Sequence, residues 1–172
     1  GPALIQGVAP RKTFLRRKDP GKTVDVQMIA ANIQAAWIVQ ACDYDFNLAR
    51  LDRYLAMANE GGIEPWILLT KIDLVSPDKL ESMIEPVRRR CPFAQLVALS
   101  NITGEGLDAL RALLVPGRTY CLLGSSGVGK STMINRLLGR EALDTQAVSG
   151  TGEGVHTTSR RQLLVLEGGA ML

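Results

Sequence analysis

The amino-acid sequence predicts an α/β protein built on a doubly wound, mostly parallel sheet. Short apolar runs alternate with segments of helical periodicity, and the connections between them are short. The run 66–69 is continuously apolar, as expected of a parallel strand covered by helices on both faces. In sheets of this kind ligands bind at the carboxyl ends of the strands. The residues that follow each predicted strand are therefore the first candidates for a functional site.

The predicted elements follow one another in a regular order. Apolar runs predict strands at 37–40, 66–69, 96–99, 120–123 and 163–166. Apolar residues at helical spacing predict a first helix that begins near Leu48 and stops at Gly61 and Gly62. A second helix begins with Ser76 as N-cap and Pro77 in its first turn. A third predicted helix carries Leu107, Leu110 and Leu114. A fourth carries Met133, Ile134, Leu137 and Leu138 and ends at Gly139.

Length and composition are those of one soluble globular domain. The 172 residues include 46% hydrophobic and 22% charged residues. No apolar run approaches the roughly 18 residues of a membrane span, so we expect no membrane partner. The net charge of +3 gives no general argument for nucleic acid. Basic residues do crowd the segment 11–22, which either contacts a phosphate backbone or is a solvated surface.

The cysteines do not predict a metal site. Cys42, Cys91 and Cys121 are far apart, and with the single His156 they lack the close ligand pairs of zinc sites. Reduced thiols are typical of cytosolic proteins. We therefore expect a soluble, cytoplasmic protein.

The most specific motif is a glycine-rich loop at 124–131, which fits the pattern G-x-x-x-x-G-K-[ST] of a P-loop. It lies between an apolar run and a helical segment, the context that this phosphate-binding loop requires. Backbone N–H groups would surround the phosphates, Lys130 would neutralise the β- and γ-phosphates, and Ser131 would ligate Mg²⁺. A glycine-rich turn without function is the alternative. The predicted nucleotide contacts are Gly124, Ser125, Ser126, Gly127, Val128, Gly129, Lys130, Ser131 and Thr132.

A second motif at 70–73 indicates which base is bound. Thr70, Lys71 and Asp73 follow an apolar strand and resemble the N/T-K-x-D motif of GTPases. The Asp73 carboxylate could accept two hydrogen bonds from guanine N1–H and its 2-amino group, where adenine offers no matching donors. The Lys71 stem would lie across the base. Without the P-loop, this tetrapeptide would equally suit an exposed loop after a strand.

A third motif, at 100–106, also follows a predicted strand. Its sequence resembles the S-A-x-x-G-x-G loop of GTPases, in which a backbone N–H contacts guanine O6. Ser100 and Asn101 are the predicted contacts, with Asn101 in the place of the usual alanine. Because the contact is made by the main chain, this replacement need not abolish it.

The order of the motifs is unusual. Ordinary GTPases have the P-loop first and the two base-contacting motifs last, whereas here both precede Gly124. Such a circular permutation is physically reasonable where the original chain ends lie close together at the surface. We therefore expect a circularly permuted G domain of the P-loop NTPase fold.

The chain resembles the RsgA/YjeQ family of circularly permuted, ribosome-dependent GTPases from about residue 27 to residue 172. Besides the three motifs, the resemblance rests on the segments 29–33, 51–55, 63–65 and 154–158. It implies binding and hydrolysis of GTP, with GDP as product and Mg²⁺ as cofactor. It also implies faster hydrolysis on the small ribosomal subunit, whose late maturation such proteins assist. The expected partners are this subunit and its rRNA, and not DNA.

Further residues are implicated by the resemblance alone. The segment 156–158 belongs to the first switch of the family, so Thr158 is the expected contact to Mg²⁺ and the γ-phosphate, with Thr157 as the alternative. His156 either contacts phosphate or RNA or faces solvent. Arg160 and Arg161 are either RNA contacts or solvated charges. We assign no general base.

The resemblance also predicts domain boundaries. Residues 1–26 are expected to be a remnant of an N-terminal OB-fold and linker, in which about 4–18 forms the last strand. Residues 27–172 are expected to form the GTPase domain, truncated before its D-x-x-G motif. Zinc is expected only in a C-terminal domain that this chain lacks. Thr70 stands where asparagine is commoner, which predicts a looser link to the P-loop.

Two other functions remain open on the sequence. One is an RNA- or ribosome-binding module in which nucleotide only stabilises the fold, as the lack of D-x-x-G and the basic segment 11–22 suggest. The other is an ATP-dependent enzyme on the same P-loop, which the guanine motif at Asp73 argues against.

Overall fold

The structure, a computed structural model, describes residues 4–18, 26–143 and 162–172. Four parallel strands form the main sheet in the order β5-β4-β3-β6, and two antiparallel strands form a separate ribbon, β1-β2. The strands are β1 (Phe14–Lys18), β2 (Val26–Ala31), β3 (Ala35–Ala41), β4 (Glu64–Thr70), β5 (Gln95–Ala98) and β6 (Tyr120–Leu123). The parallel strands predicted from apolar runs are confirmed, each within two residues of its predicted ends.

Helices cover both faces of the main sheet. They are α1 (Leu48–Glu60), α2 (Pro77–Arg90), α3 (Leu107–Ala112) and α4 (Lys130–Leu138), with a 3₁₀ turn at Ile72–Leu74. One apolar core joins the sheet to α1 and α2, and another joins it to α3 and α4. The central strand β3 is buried along its whole length. The doubly wound sheet predicted from the sequence is therefore confirmed.

The helix ends follow the predicted capping chemistry. The Ser76 side chain accepts a hydrogen bond from the Lys79 backbone N–H, and Pro77 opens α2. Asn47, which was not predicted as a cap, accepts from the Arg50 N–H at the start of α1. Gly139 ends α4 with a positive φ of 65°. No helix in the described part of the chain is long and apolar enough to cross a membrane.

The N-terminal ribbon docks on the end of α1. The Phe14 N–H donates to the Gly61 carbonyl at 3.1 Å, and a Cβ on Gly61 would lie only 1.7 Å from the Phe14 carbonyl oxygen. Gly61 therefore permits this docking besides ending the helix. Within the segment 4–18, regular strand is confined to β1, and its partner β2 was not predicted. The domain boundary between residues 26 and 27 stays a prediction.

The strand predicted at 163–166 is replaced by isolated bridges. Val165 pairs with Met171 in antiparallel fashion, and Met171 pairs with Thr119 in parallel. Leu164 and Leu172 exchange two hydrogen bonds of 2.8 Å. The hairpin around Gly168 and Gly169 thus adds a few ladder bonds beside β6, too few for a regular strand.

Candidate functional site

Loops from four parallel strands meet at one edge of the sheet. They follow the carboxyl ends of β3, β4, β5 and β6 and span 42–47, 71–76, 99–106 and 124–129. Hydrogen bonds connect the 124–129 loop to each of the other strand ends, through Ser125, Val128 and Gly129. All three sequence motifs therefore lie together, although the hydrogen-bonded partners Thr70 and Val128 are 58 residues apart in the sequence.

The P-loop, residues 124–131, curls closely over β3. A Cβ on Gly124 would lie 2.7 Å from the Val39 carbonyl oxygen, so only glycine fits without displacement. Gly129 has a φ of 92° and is the N-cap of α4. Val128 is buried, whereas Ser126 and Gly127 are exposed. The first turn of α4 thus presents the positive end of the helix dipole, which suits an anion.

The Lys130 side chain lies over the P-loop, together with which it would bind phosphate. Its Nζ donates to the carbonyl oxygens of Gly124 at 2.9 Å and Ser125 at 2.5 Å. Burial lowers the pKa of Lys130, and the nearby Asp45 carboxylate opposes that shift only in part. Because a cation prefers an anionic oxygen to a neutral carbonyl, a phosphate would be a stronger partner for this ammonium.

Both motifs predicted to contact the base bond directly to the P-loop. Thr70 Oγ1 lies 2.7 Å from the Val128 carbonyl oxygen, so the link that was expected to be loose is made by the threonine. Asn101 Nδ2 donates to the next carbonyl, that of Gly129, at 3.0 Å. The sequence predicted a main-chain role for Asn101 and did not predict this side-chain contact.

Asp73 and Ser100 lie side by side at the ends of β4 and β5. Ser100 Oγ donates to Asp73 Oδ1 at 2.5 Å and accepts from the Ile102 and Thr103 N–H groups at 3.1 Å. Ser100 is fully buried, while Asp73 is exposed. Within the described residues no donor reaches Asp73 Oδ2. One carboxylate oxygen is thus fixed by Ser100, and the other faces no donor among those residues.

Lys71 is fixed by an acidic residue from the preceding strand's loop. It has a positive φ of 59°, and its Nζ lies 2.8 Å from Asp43 Oδ2. Burial acts to raise the pKa of Asp43, but the hydrogen bond from Lys71, the backbone N–H of Asp45 and the Lys71 charge together hold that pKa below its usual value. The ion pair fixes the Lys71 ammonium against the loop that follows β3.

A second acidic residue of the same loop contacts the P-loop. Asp45 Oδ2 accepts from Ser125 Oγ at 2.5 Å and pairs with Arg50 at 2.7 Å. Sequence reasoning missed both Asp43 and Asp45. Their position after the buried strand β3 was the available signal, because parallel strands end at one edge of the sheet.

The predicted contacts Ser131 and Thr132 each line a cavity. One, of about 360 Å³ and mostly apolar in lining, includes Lys130 and Ser131. The other, of about 790 Å³, lies between α3 and α4 and includes Thr103 and Thr132. The predicted switch residue Thr158, with Thr157, His156, Arg160 and Arg161, lies outside the described residues.

Comparisons with known proteins agree with this arrangement. The family model described as RsgA GTPase matches residues 8–172. A protein of Opitutus terrae named "Small ribosomal subunit biogenesis GTPase RsgA" is 45% identical over 169 residues, which cover 98% of this chain and 46% of that protein. The chain thus spans about half the length of the curated relatives it matches.

Two solved structures share the fold. YjeQ from Thermotoga maritima has a TM-score of 0.68 and 24% identity over 96% of this chain and 52% of its own. YloQ, described as a circularly permuted GTPase, has a TM-score of 0.57 and 18% identity over 96% of this chain and 57% of its own. At these identities the likeness concerns the fold, and it agrees with the permuted order of motifs predicted from the sequence.

Proposed function

The chain belongs to the RsgA GTPase family, and on that premise we propose that it binds GTP and GDP and hydrolyses GTP in the maturation of the small ribosomal subunit. The curated relatives are named for small-subunit biogenesis. The observation that carries the proposal is the direct bonding of both base-contacting motifs to the P-loop, by Thr70 to Val128 and by Asn101 to Gly129. A base selector joined rigidly to a phosphate cradle is what guanine-nucleotide binding requires.

Guanine selection would depend on Asp73. Its Oδ1 accepts from Ser100, and the carboxylate keeps further lone pairs that can accept from guanine N1–H and the 2-amino group. Adenine would leave the carboxylate without these two donors, which costs on the order of 1–3 kcal/mol or more. Lys71, held by Asp43, would cover one face of the base with its aliphatic stem.

Phosphate binding would depend on the P-loop and Lys130. The N–H groups at the start of α4 would donate to phosphate oxygens, and Lys130 would exchange its two carbonyl partners for the β- and γ-phosphates. The N–H groups and the Lys130 ammonium would stabilise charge on the transferred phosphoryl group.

Ser131 suits a Mg²⁺ ion at the phosphates. It follows Lys130 in the first turn of α4, and its hydroxyl is a hard oxygen ligand. Mg²⁺ typically keeps several waters and takes its other ligands from phosphates, so a single protein hydroxyl at this position fits that ion. The metal would neutralise phosphate charge. Thr158 is proposed as a second hydroxyl ligand on sequence alone.

Small-subunit rRNA is the proposed macromolecular partner. Arg11, Lys12 and Arg17 are exposed at the N-terminal ribbon, where they could contact a phosphate backbone. The remaining basic residue of β1 with a described side chain, Arg16, pairs with Glu60.

The test is GTP hydrolysis by the protein with and without purified small ribosomal subunits. We expect stimulation by the subunits in the wild type and none in Lys130→Ala. Lys79→Ala is the matched control, because it removes an exposed lysine of α2. If the subunits bind equally well with and without nucleotide and hydrolysis is not stimulated, the RNA-binding alternative is correct and the proposal is wrong.

A further inference from the structure

We infer that Asn101 is a positioning residue whose side-chain amide holds the P-loop in its phosphate-binding conformation. The main chain of Asn101 belongs to the base-contacting loop at 100–106, so one residue would serve both ends of the nucleotide. The inference rests on the nucleotide binding proposed above and adds a residue-specific link between base and phosphate recognition.

The donor role of the Asn101 amide is fixed by its surroundings. Nδ2 lies 3.0 Å from the Gly129 carbonyl oxygen, and the side chain is only 7% exposed. The reverse amide orientation would place Oδ1 against that carbonyl oxygen, and two acceptors cannot bond. Oδ1 is itself buried without a hydrogen-bond partner in the described part of the chain. Keeping an unpaired oxygen costs free energy, so the benefit of this side chain lies in its N–H donor.

Thr70 cannot supply this second donor. A hydroxyl has one proton, and Thr70 Oγ1 already lies 2.7 Å from the Val128 carbonyl oxygen and 3.3 Å from that of Gln40. An asparagine at position 70 would have two amide protons. Two consecutive P-loop carbonyls are thus bonded from two different loops, that of Val128 by Thr70 and that of Gly129 by Asn101.

The bonded carbonyls determine where the neighbouring N–H groups point. In a planar trans peptide the C=O and the following N–H point in opposite directions. Fixing the Val128 carbonyl toward Thr70 therefore turns the Gly129 N–H away from the sheet interior. Fixing the Gly129 carbonyl toward Asn101 does the same for the Lys130 N–H. These two N–H groups belong to the cradle that would receive phosphate.

The same carbonyl also begins helix α4. The Gly129 oxygen accepts from the Met133 N–H at 3.0 Å, and its second lone pair can accept from Asn101. A Cβ on Gly129 would lie 2.7 Å from Asn101 Nδ2, so the glycine leaves the room that the amide occupies. Asn101 thus holds the loop at the point where it becomes helix.

The experiment compares GDP with guanosine, which has the base but no phosphate. For Asn101→Ala we expect the Kd for GDP to rise about tenfold, as for one buried hydrogen bond, and the Kd for guanosine to change by less than about twofold. Phe93→Ala is the matched control, because Phe93 is 99% exposed and lies in none of the four loops of the site. Thr70→Asn added to Asn101→Ala should recover most of the GDP affinity, because it restores a second amide proton.

The outcomes are separable from those of the proposed function. If wild-type protein binds no GDP, the proposed function is wrong. If it binds GDP and Asn101→Ala binds as well as wild type, Asn101 does not position the P-loop. Equal weakening of GDP and guanosine would likewise overturn the inference, since the effect would then lie in the base-contacting loop. Failure of the Thr70→Asn addition to recover affinity would also contradict it.

Discussion

Ser100 Oγ lies 2.5 Å from Asp73 Oδ1, although the two residues are 27 positions apart in the sequence. The bond joins the ends of the adjacent strands β4 and β5 and commits one oxygen of the carboxylate to the protein. The other oxygen accepts no hydrogen bond from the described residues. The orientation of the predicted base selector is therefore determined by a residue of a different motif.

Removing this bond should weaken guanine binding without changing which base is preferred. In Ser100→Ala the Asp73 carboxylate loses its orienting donor, and the Ile102 and Thr103 N–H groups lose their acceptor. We expect a Kd for GDP about tenfold higher, with guanine still preferred to xanthine, in calorimetric titrations. Ser82→Ala, an exposed serine on α2 that donates to Lys79 O, should bind as wild type. Unchanged GDP affinity in Ser100→Ala would show that Asp73 needs no such support.

Burial of the charged Lys130 should lower the free energy of unfolding of the nucleotide-free protein. Its folded pKa lies below the usual value because of burial, so the folded state binds the proton less tightly than the unfolded state. The stability of the nucleotide-free wild type should then rise as pH increases through the lowered pKa. Lys130→Met should remove that rise while weakening GDP binding about 100-fold. Urea denaturation at several pH values, with and without GDP, measures both effects, and a pH dependence equal to that of wild type would contradict the first.

The pair of Asp43 and Lys71 should contribute stability that acid removes. Because the folded pKa of Asp43 is lowered, its contribution is complete well above the unfolded value of about 4 and is lost as the pH falls through the folded value. The difference in free energy of unfolding between wild type and Asp43→Asn should be constant from about pH 7 to about pH 5. It should shrink below about pH 4. A constant difference down to about pH 2 would mean that this pair does not titrate as described.

The pair of Asp45 and Arg50 should matter more than pairs on the helix surfaces. Their side chains are 17% exposed for Arg50 and 29% for Asp45, and Arg50 Nε is already buried with no hydrogen-bond partner in the described ranges. Asp45→Ala should therefore lower the free energy of unfolding by roughly 1–3 kcal/mol. Glu85→Ala breaks the exposed pair with Arg89 and should cost less than about 1 kcal/mol. Equal costs by urea denaturation would contradict the comparison.

The sequence predicted the elements whose signals are local. The continuous apolar runs of β3 and β4, the Ser76 cap and the P-loop each carry their own pattern, and all are found in the structure. The ribbon strand β2 was missed although residues 28–31 form a short apolar run. In the structure the residues of β2 are exposed or half-buried. Its pairing with β1 is a tertiary contact that no local pattern encodes.

The contacts within the site were the least predictable part. Motif spacing placed Thr70, Asp73 and Ser100 at strand ends, and the topology then brought them together. Motif spacing could not show that Asn101 bonds through its side chain, or that Asp45 contacts Ser125, which is 80 residues away in the sequence. Both contacts depend on the register of neighbouring strands and on side-chain reach, which a single sequence does not give.

The central claim is guanine recognition by Asp73 beside a functioning P-loop, and nucleotide titration of wild type and Asp73→Asn tests it most directly. We expect wild type to bind GDP and GTP in Mg²⁺ buffer and to bind ATP far more weakly. Asp73→Asn should lose affinity for GDP and gain it for xanthosine diphosphate, because the amide can donate to the xanthine oxygen that replaces the 2-amino group. Equal binding of ATP by wild type, or an unchanged base preference in Asp73→Asn, would contradict the assignment.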